Sequence, residues 1–372
     1  MSRRAQGNRT PTIPDVAALA GVSSATAARA LGGYGSVSAT ARAKVTAAAE
    51  DLGYRVNGVA RSMITGRTMT FGVVVGDIEN DFFSRVVRGF SDVARVAGFA
   101  TIVASTDERL DNERSAVRVF SERRVDGLLV APASMVDGRH LREARDAGAA
   151  VVLIDRKIHR VGLDTVLIDS VTAARSAVEH LTVQGHERIG LITGVGAGEG
   201  PPGGEAAVST SADRLAGYRE ALEAAGLSYD PTLVRPGDFH LDAARSRAAD
   251  LLSSPERPTA VFATDGVLTL GALLAIRDVG LRCPEDVSLV GFDDPAWASV
   301  VRPRVSVMAQ PVHELGAVAA RRLLARVAGD ASRVRAPVKL SATWVPRDSV
   351  AAPSQAVGAR GTRDQRRVGA DS

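Results

Sequence analysis

Two hydrophobic patterns divide the chain. Over roughly residues 12–53, apolar positions recur every three or four residues, which is the period of amphipathic helices. From about residue 70, short continuous apolar runs alternate with amphipathic segments. The runs are FGVVVGDI, FATIVAST, DGLLVAP, AAVVLIDR, DTVLIDS, RIGLITG, TAVFATD and DVSLVGFDD, and the segments are 84–97, 111–124, 171–184, 212–225, 241–252, 266–279 and 312–328. Apolar strands with helical crossovers are typical of parallel sheets covered by helices on both faces.

The second pattern predicts two α/β subdomains rather than one large sheet. The strand–helix units extend over about 280 residues, more than a single hydrophobic core usually accommodates. No internal sequence repeat accompanies them. The expected fold class for this part is therefore a core of two doubly wound parallel-sheet subdomains. Residues 351–372 are rich in Ala, Gly and Arg and lack leucine, so we expect a disordered tail there.

The first pattern predicts three short helices. Thr12 and Asp15 form a start similar to a capping box for the first helix. Gly21 permits a left-handed turn, and Ser23 can cap the second helix. A third helix opens at Ser38. Two helices joined by a glycine turn and braced by a third form an all-α helix-turn-helix, whose second helix enters the major groove of DNA. A purely structural helical bundle is the alternative.

Charge is distributed unevenly between these two parts. The whole chain has a formal net charge of +4, but residues 1–66 hold eight Lys or Arg against three acidic residues. A basic head on a nearly neutral body suggests a polyanionic partner for the head. The single cysteine excludes an internal disulfide, and no apolar run reaches the length of a membrane span. Since the N-terminus also lacks the apolar core of a signal peptide, we expect a cytoplasmic protein without a membrane partner.

An α/β enzyme is the main rival interpretation. The segment GVGAGEGPPGG follows the strand RIGLIT and superficially resembles a dinucleotide-binding loop. However, Glu199 stands where the last glycine of that motif is needed, and Pro201 and Pro202 prevent a helix from starting directly behind the loop. The six histidines are scattered without the spacing of a metal site. We therefore expect no catalytic residues, no metal and no cofactor.

Motifs along most of the chain resemble those of the lactose/galactose-repressor (LacI/GalR) family of transcriptional regulators. DVAALAGVSSATAARAL, VSATARAKVTAAAEDLGYRVN and GVARSMITGRT match its DNA-binding part, and GHERIGLITG, ADRLAGYREAL, VFATDGVLTLGAL, DVSLVGFDD and TWVPRDS match its core. The resemblance covers roughly residues 11–349. It implies a disordered arm over 1–11, a helix-turn-helix domain over 12–56, a hinge helix and linker over 57–68, and an effector-binding and dimerisation domain over 69–350.

The resemblance also implies which residues meet DNA. Those matching Ser24, Ala25 and Arg29 face the edges of bases. Arg29 can donate two hydrogen bonds to a guanine, whereas Ala25 offers only a methyl group to thymine. A second group is expected to contact phosphates, which position the protein without specifying sequence. Its members are Ser23, Thr26, Ser38 and Asn57.

A short hinge helix follows the third helix in this family, and in the complex two such helices insert an apolar wedge into the minor groove. The matching helix runs from Asn57 to about Thr65, with Met63 as the wedge and Arg61 as a further DNA contact. Val56 stands where a proline is usual, which removes a rigid turn before the hinge. A core position is the alternative role for Met63.

The core resembles periplasmic sugar-binding proteins, whose ligand positions carry over to ten residues of this chain. They are Asn80, Phe82, Phe83, Asp155, Arg156, Arg214, Phe239, Thr264, Asp293 and Gln310. Carboxylates and guanidinium groups bind neighbouring hydroxyls of a sugar, and aromatic rings cover its apolar faces. The pattern is closest to a ribose-type site, except that Thr264 replaces a usual asparagine. Interdomain ion pairs without a ligand are the alternative, and Asp265 is expected only to cap the following helix.

These implications give one functional expectation. The protein is expected to bind a palindromic operator in double-stranded DNA as a homodimer, since the tail lacks the leucine heptads that a tetramer would need. A small sugar, ribose or a related aldose, is expected to bind between the subdomains, close them and separate the paired hinge helices, which lowers operator affinity. A purine, nucleoside or sugar phosphate acting as a co-repressor is the alternative effector.

Overall fold

The structure is a computed structural model that describes residues 10–55, 62, 66–194, 208–237, 239–330 and 336–354. The described residues belong to two compact units. The first unit comprises Met1–Thr70 with Arg124–Asp126, and the second comprises Phe71–Arg123 with Gly127–Ser372. The predicted arm and tail, and most of the predicted hinge, lie outside the described residues. The domain boundaries expected from the sequence therefore stay predictions.

The first unit contains the three predicted helices, α1 (Ile13–Ala20), α2 (Ser24–Gly32) and α3 (Ala39–Asp51). Each helix packs against the other two. Val16, Ala27 and Val45 are fully buried at the centre of the bundle. Alanines supply most of the remaining core, so the three short helices can approach each other closely.

Local hydrogen bonds define where these helices start. Gly21 follows α1 in the left-handed conformation, with φ of 65°, and so turns the chain towards α2. The Ser23 hydroxyl accepts a hydrogen bond from the Thr26 amide at 3.1 Å, and Ser38 accepts one from the Ala41 amide at 3.2 Å. One orphan amide at the start of each of α2 and α3 is thereby satisfied, and Ser23 caps α2 as the sequence predicts.

The second unit contains two six-stranded sheets. The strands are β1 (Thr70–Val75), β2 (Ala100–Ser105), β3 (Gly127–Val130), β4 (Ala150–Ile154), β5 (Asp164–Ile168), β6 (Ile189–Gly194), β7 (Val234–Gly237), β8 (Ala260–Ala263), β9 (Ser288–Phe292), β10 (Ser306–Ala309), β11 (Val338–Leu340) and β12 (Thr343–Val345). The first sheet has the order β11-β5-β4-β3-β1-β2 and the second β12-β10-β9-β8-β6-β7. Paired strands such as β1 with β3 run parallel, whereas β12 is antiparallel to β10.

Helices cover both sheets. They are α4 (Asp81–Val96), α5 (Leu110–Glu122), α6 (Arg139–Asp146), α7 (Ser170–Val183), α8 (Ser209–Ala224), α9 (Leu241–Leu252), α10 (Gly266–Asp278) and α11 (Val312–Val327). The helices α4, α5, α6 and α11 pack on the first sheet, and α7, α8, α9 and α10 pack on the second. The fold class expected from the sequence is confirmed. In the described ranges no helix is both long and apolar enough to span a membrane.

Two glycines set the closest helix–helix contact of the first subdomain. A Cβ at Gly89 on α4 would lie 2.0 Å from the His313 carbonyl oxygen, and one at Gly316 on α11 would lie 2.1 Å from the Val86 carbonyl oxygen. Only glycine permits this approach. The helix α11 comes late in the chain, after most strands of the second sheet. Its contact with α4 attaches it to the first subdomain.

Within the described residues, the chain crosses between the two subdomains three times. It leaves the first sheet after β5, returns after β10 to form α11 and β11, and crosses again into β12. The two sheets therefore share three short connections, at residues 168–170, 309–312 and 340–343. The Asp169 amide donates to the Leu340 carbonyl oxygen at 2.9 Å, so two of these connections lie side by side. Short connections of this kind can act as a hinge for relative motion of two subdomains.

Candidate DNA-binding and effector sites

The predicted DNA-contacting residues of the first unit lie on and around α2. Ser24, Ala25 and Arg29 are exposed along the same helix. The Arg29 Nε donates to the Ala25 carbonyl oxygen at 3.2 Å, so the side chain lies along the helix surface. The hydroxyls of Ser23 and Thr26 lie 2.9 Å apart, at the start of α2. The structure thus brings five of the predicted DNA contacts onto one helix start and its exposed face.

The other predicted DNA contacts are placed differently. Ser38 is exposed and caps α3. Asn57, Arg61 and Met63 lie outside the described residues, so the structure gives no geometry for the predicted hinge contacts.

The effector residues predicted from the sequence come together at the carboxyl ends of parallel strands. Asp155 directly follows β4 and Asp293 directly follows β9, strands that occupy equivalent places in the two sheets. Both aspartates are in the left-handed conformation, with φ of 64° and 68°. Their amides donate equivalent hydrogen bonds to the neighbouring strand, at 2.9 Å to Val166 and 3.0 Å to Met308. The two sheets therefore present a pair of related carboxylates, although no sequence repeat indicates it.

In the second subdomain, Asp293 is the centre of a polar network. The Gln310 Nε2 donates to its Oδ1 at 2.5 Å, and the Gly266 amide donates to its Oδ2 at 3.2 Å. Arg214, at the start of α8, donates from Nη1 to the Thr264 carbonyl oxygen at 2.5 Å. Its guanidinium carbon also lies 3.9 Å from the centre of the Phe292 ring. These contacts fix the orientation of the buried polar groups.

In the first subdomain, Arg156 is held by a partner that the sequence reasoning missed. Its two terminal nitrogens donate to the two carboxylate oxygens of Glu108, one of them at 2.8 Å. The Phe83 ring centre lies 5.6 Å and the Phe239 ring centre 5.8 Å from the guanidinium carbon of Arg156. Phe239 belongs to the other subdomain and packs on Gly194, where a Cβ would lie 2.0 Å from the ring.

Several buried polar atoms in these networks have no hydrogen-bond partner among the described residues. They are the Nε atoms of Arg156 and Arg214, the Thr193 hydroxyl and the Gln310 Oε1. Such unpartnered groups are costly. His140 Nδ1 and Arg188 Nε also lack a partner among the described residues, away from these networks. Arg156, Arg214 and Gln310, however, all belong to the residues predicted to bind the effector, so a ligand there would satisfy the atoms of the site. They comprise two obligate donors, one acceptor and one hydroxyl that can do both, a set that suits the hydroxyl groups of a sugar.

Burial raises the pKa values of three carboxyl groups at this site. Desolvation raises the pKa of Asp293 to about 7 against the opposing effect of Arg214, and the neighbouring charge of Asp265 raises it further. Desolvation also raises the pKa of Asp155 and of Asp265. Strongly perturbed acids of this kind cluster at functional sites.

Several contacts join the two subdomains across the cleft, which is the space between them. Asn80 Nδ2 donates to Asp265 Oδ2 at 3.3 Å. The Lys157 ammonium donates to both carboxylate oxygens of Asp213, at 2.9 and 2.8 Å. Asp265 also caps α10, as expected, by accepting hydrogen bonds from two amides at 2.7 and 2.9 Å. It therefore does more than the sequence suggested, because it links the subdomains as well.

Two cavities flank the Phe239 ring. One of about 600 Å³ is also lined by Asn80, Phe82 and Asp293, and extends to Trp297. The other, of about 550 Å³, is lined by Glu108. Volumes of this size suit small ligands. Within the described residues, no group of three His, Cys, Asp or Glu side chains is arranged to hold a metal ion.

Two parts of the chain match known protein families. Residues 12–57 match the bacterial regulatory proteins of the lacI family, and residues 178–350 match the periplasmic binding protein-like domain. Catabolite control protein A of Priestia megaterium is 32% identical over 312 residues, which cover 84% of this chain and 91% of that protein.

Solved structures show the same similarity. The Lac repressor dimer bound to operator and the anti-inducer ONPF is 26% identical with a TM-score of 0.78, over 92% of this chain and all of that one. A LacI family transcriptional regulator from Enterococcus faecium with bound ribose is 28% identical with a TM-score of 0.66, over 77% of this chain and 100% of that one.

A helix-turn-helix unit joined to a two-sheet core with a polar cleft defines a ligand-responsive DNA-binding regulator. The chain belongs to the LacI family. It is a DNA-binding transcriptional repressor regulated by a small-molecule effector, and its family consists of transcription regulators rather than enzymes. The family assignment excludes the rival interpretation of the sequence as an α/β enzyme.

Proposed function

We propose that the effector is a small sugar, ribose or a related aldose, and that its binding in the cleft lowers operator affinity. The observation that carries the proposal is the set of unpartnered buried polar atoms on Arg156, Arg214, Thr193 and Gln310. Together with the carboxylates of Asp155 and Asp293, they offer both donors and acceptors to a polyhydroxyl ligand. The similarity to a regulator with bound ribose supports the same class.

In this proposal the repressor is a homodimer on a palindromic operator. One helix-turn-helix covers too little DNA for tight specific binding, and two-fold symmetry supplies a second half-site. The terminal strand β2 supports a second copy of the chain as partner. Ile102 and Val103 on this edge strand are 42% and 37% exposed, and Val119 on α5 is 39% exposed. An apolar edge of this kind is an aggregation hazard unless a partner covers it.

DNA contacts in the proposal follow from the exposed face of α2. Arg29 binds a base edge, Ser24 and Ala25 lie beside it, and the hydroxyls of Ser23, Thr26 and Ser38 bind phosphates. Asn57, Arg61 and Met63 are proposed to extend the contacts into the minor groove, with Met63 as the apolar wedge. In this arrangement only a few side chains specify sequence.

The linkage between the two sites sets the size of the response. A ligand shifts an equilibrium only by its differential affinity for the two forms. A hundredfold preference of the sugar for the form with low operator affinity corresponds to about 2.7 kcal/mol, and reciprocal linkage then lowers operator affinity by up to about a hundredfold.

The test compares two arginines on α8. Arg214→Lys keeps the charge but removes the Nε donor, and is expected to abolish the ribose response in an operator gel-shift assay. Arg219→Lys is the matched control, because Arg219 also lies over an aromatic ring, 4.2 Å from the centre of Tyr229, but is exposed. Operator binding without sugar should be unchanged in both variants.

A normal ribose response of Arg214→Lys would contradict the assignment of the cleft. Calorimetry with a panel of pentoses, hexoses, purines, nucleosides and sugar phosphates decides the effector class. Binding of purines or sugar phosphates alone would make the sugar assignment wrong. Sedimentation that shows stable tetramers, or footprints without two-fold symmetry, would contradict the dimer.

A further inference from the structure

The ion pair with Glu108 occupies both terminal nitrogens of Arg156, and sugar binding alone does not require such a pair. The Arg156 side chain is 4% exposed, and both of its terminal nitrogens are occupied by one carboxylate. Nη1 also donates to the Pro132 carbonyl oxygen at 3.3 Å. Only Nε remains without a hydrogen-bond partner among the described residues, although it lies 3.5 Å from Asp155 Oδ2. A guanidinium that is free to bind two oxygens would instead be a strong site for phosphate or carboxylate.

The backbone is arranged to place Glu108 there. Asp107 and Glu108 are consecutive non-glycine residues in the left-handed conformation, with φ of 53° and 58°. Such residues persist only where the surroundings hold them, and they are frequent at functional sites. The turn is fixed to the end of β1 by the Thr106 amide, which donates to the Val75 carbonyl oxygen at 3.0 Å. Gly76 leaves room for the carboxylate, because a Cβ there would lie 2.0 Å from Glu108 Oε1.

Most charged residues that line the two cavities are acidic. The cavity lined by Glu108 is also lined by Asp77, Glu79 and Asp107, against one arginine, Arg109. The neighbouring cavity is lined by five acidic residues and one arginine. Those residues are Asp77, Glu79, Asp81, Asp293, Asp294 and Arg85. Most of these acids are exposed or half-buried, so an anion that enters either cavity meets a moderate excess of like charge, which disfavours its binding.

We propose that Glu108 is a specificity-determining residue: it neutralises Arg156 and so restricts the effector to uncharged polyhydroxyl compounds, with phosphorylated and carboxylated sugars excluded. The inference rests on the proposed function, since it concerns the ligand of the same cleft. It extends the proposed function by naming the residue that discriminates between a free sugar and its phosphate ester. Removal of the Glu108 charge leaves the two terminal nitrogens of Arg156 without a carboxylate partner, so that they can bind an anion, while Nε stays 3.5 Å from Asp155 Oδ2.

The test measures the binding of inorganic phosphate to the full-length protein by calorimetry. Glu108→Gln is expected to bind phosphate at least about tenfold more tightly than the unsubstituted protein, because a buried guanidinium loses its counter-charge. Glu79→Gln is the matched control: it removes the same charge from an exposed residue of the same cavity, without contact to Arg156 in the described structure. Glu108→Gln combined with Arg156→Gln should lose the gain.

A second variant tests the geometry without a change of charge. Gly76→Ala displaces the Glu108 carboxylate by the close contact described above, and should also strengthen phosphate binding. Equal phosphate binding by Glu108→Gln and Glu79→Gln would overturn the proposal, as would phosphate binding by the unsubstituted protein as tight as that of Glu108→Gln. If Glu108→Gln does not fold, Gly76→Ala decides instead: the proposal is overturned when this variant binds phosphate no more tightly than the unsubstituted protein does. Failure of the unsubstituted protein to bind ribose would overturn the proposed function alone, since the phosphate comparison needs no sugar.

Discussion

The buried carboxylate of Asp293 makes a prediction about stability that is independent of any ligand. Its pKa is raised from 3.8 to about 7, chiefly by desolvation. In the folded protein the ionised form is therefore disfavoured, while the unfolded chain ionises near pH 4. The contribution of Asp293 to stability should therefore fall as pH rises from about 4 to about 7, and then level off. Asp293→Asn cannot ionise and should not show this loss.

The magnitude follows from the shift and from two hydrogen bonds. About three pKa units correspond to about 4 kcal/mol of lost stability above pH 7. Against this, asparagine offers a single acceptor oxygen to the two donors on Gln310 and Gly266, so one of them loses its partner, at a cost of about 1–3 kcal/mol at every pH. The variant should therefore be less stable than the unsubstituted protein near pH 4.5 and more stable by about 1–3 kcal/mol at pH 8.

Urea unfolding at several pH values measures this difference. Tryptophan fluorescence is the appropriate signal, because the chain has two tryptophans, Trp297 and Trp344, and both lie in the second unit. Asp81→Asn serves as control, since Asp81 lines the same cavity but is exposed. A difference between Asp293→Asn and the unsubstituted protein that stays constant from pH 4.5 to pH 8 would refute the argument that desolvation dominates at this carboxylate.

Two further predictions concern DNA and subdomain closure. Arg29→Ala should weaken binding to the specific operator by about 1–3 kcal/mol and binding to random DNA much less, as measured by fluorescence anisotropy at one fixed salt concentration; equal losses on both DNAs would mean a phosphate contact instead. Lys157→Met and Asp213→Asn each remove an ion pair between the subdomains, and should weaken effector binding by about two- to fivefold in calorimetry. The double variant should lose no more than either single one, and additive losses would contradict a direct pairing.

All core helices except α6, and all inner strands except β10, could be predicted from the sequence because burial imposes a pattern on them. The predicted segment 241–252 coincides with α9, and 312–328 exceeds α11 by one residue. Two starts were predicted late: α4 begins at Asp81 instead of 84, and α8 at Ser209 instead of 212. In α8 the first turn consists of buried Ser and Thr, which have the composition of a loop.

Three of the four edge strands, β7, β11 and β12, could not be predicted in the same way, whereas the edge strand β2 lies within the predicted run FATIVAST. The strand β7 has the sequence VRPG, and proline and glycine argue against a strand except at an edge. The strands β11 and β12 have three residues each, too few to show alternation. The helix α6, RHLREARD, buries only Leu141 and Ala144, so its apolar stripe is too narrow to recognise.

The effector-site residues that end a strand could be predicted from the sequence, whereas the contact between Glu108 and Arg156, which are far apart in the chain, could not. The sequence alone shows that Asp155 and Asp293 end apolar runs, and parallel strands present their carboxyl ends at one edge of a sheet. Glu108 lies after the second strand, and nothing in its local sequence indicates that it reaches Arg156. Thr193 lies within an apolar strand, where a lone threonine has no distinguishing signal. Only the tertiary structure brings these groups together.

The cleft combines several features that are unfavourable for the folded chain alone. Two non-glycine residues, Asp155 and Asp293, occupy left-handed conformations at equivalent strand ends. Raised pKa values of buried acids and unpartnered donors on Arg156 and Arg214 add to the cost. Where several unfavourable features occur in one group of residues, function is a frequent reason. A ligand whose hydroxyls donate to the carboxylates and accept from the guanidinium groups removes part of that cost. Part of its binding free energy therefore derives from the unsatisfied groups of the cleft, and a ligand that only donates or only accepts hydrogen bonds would leave some of these groups without a partner.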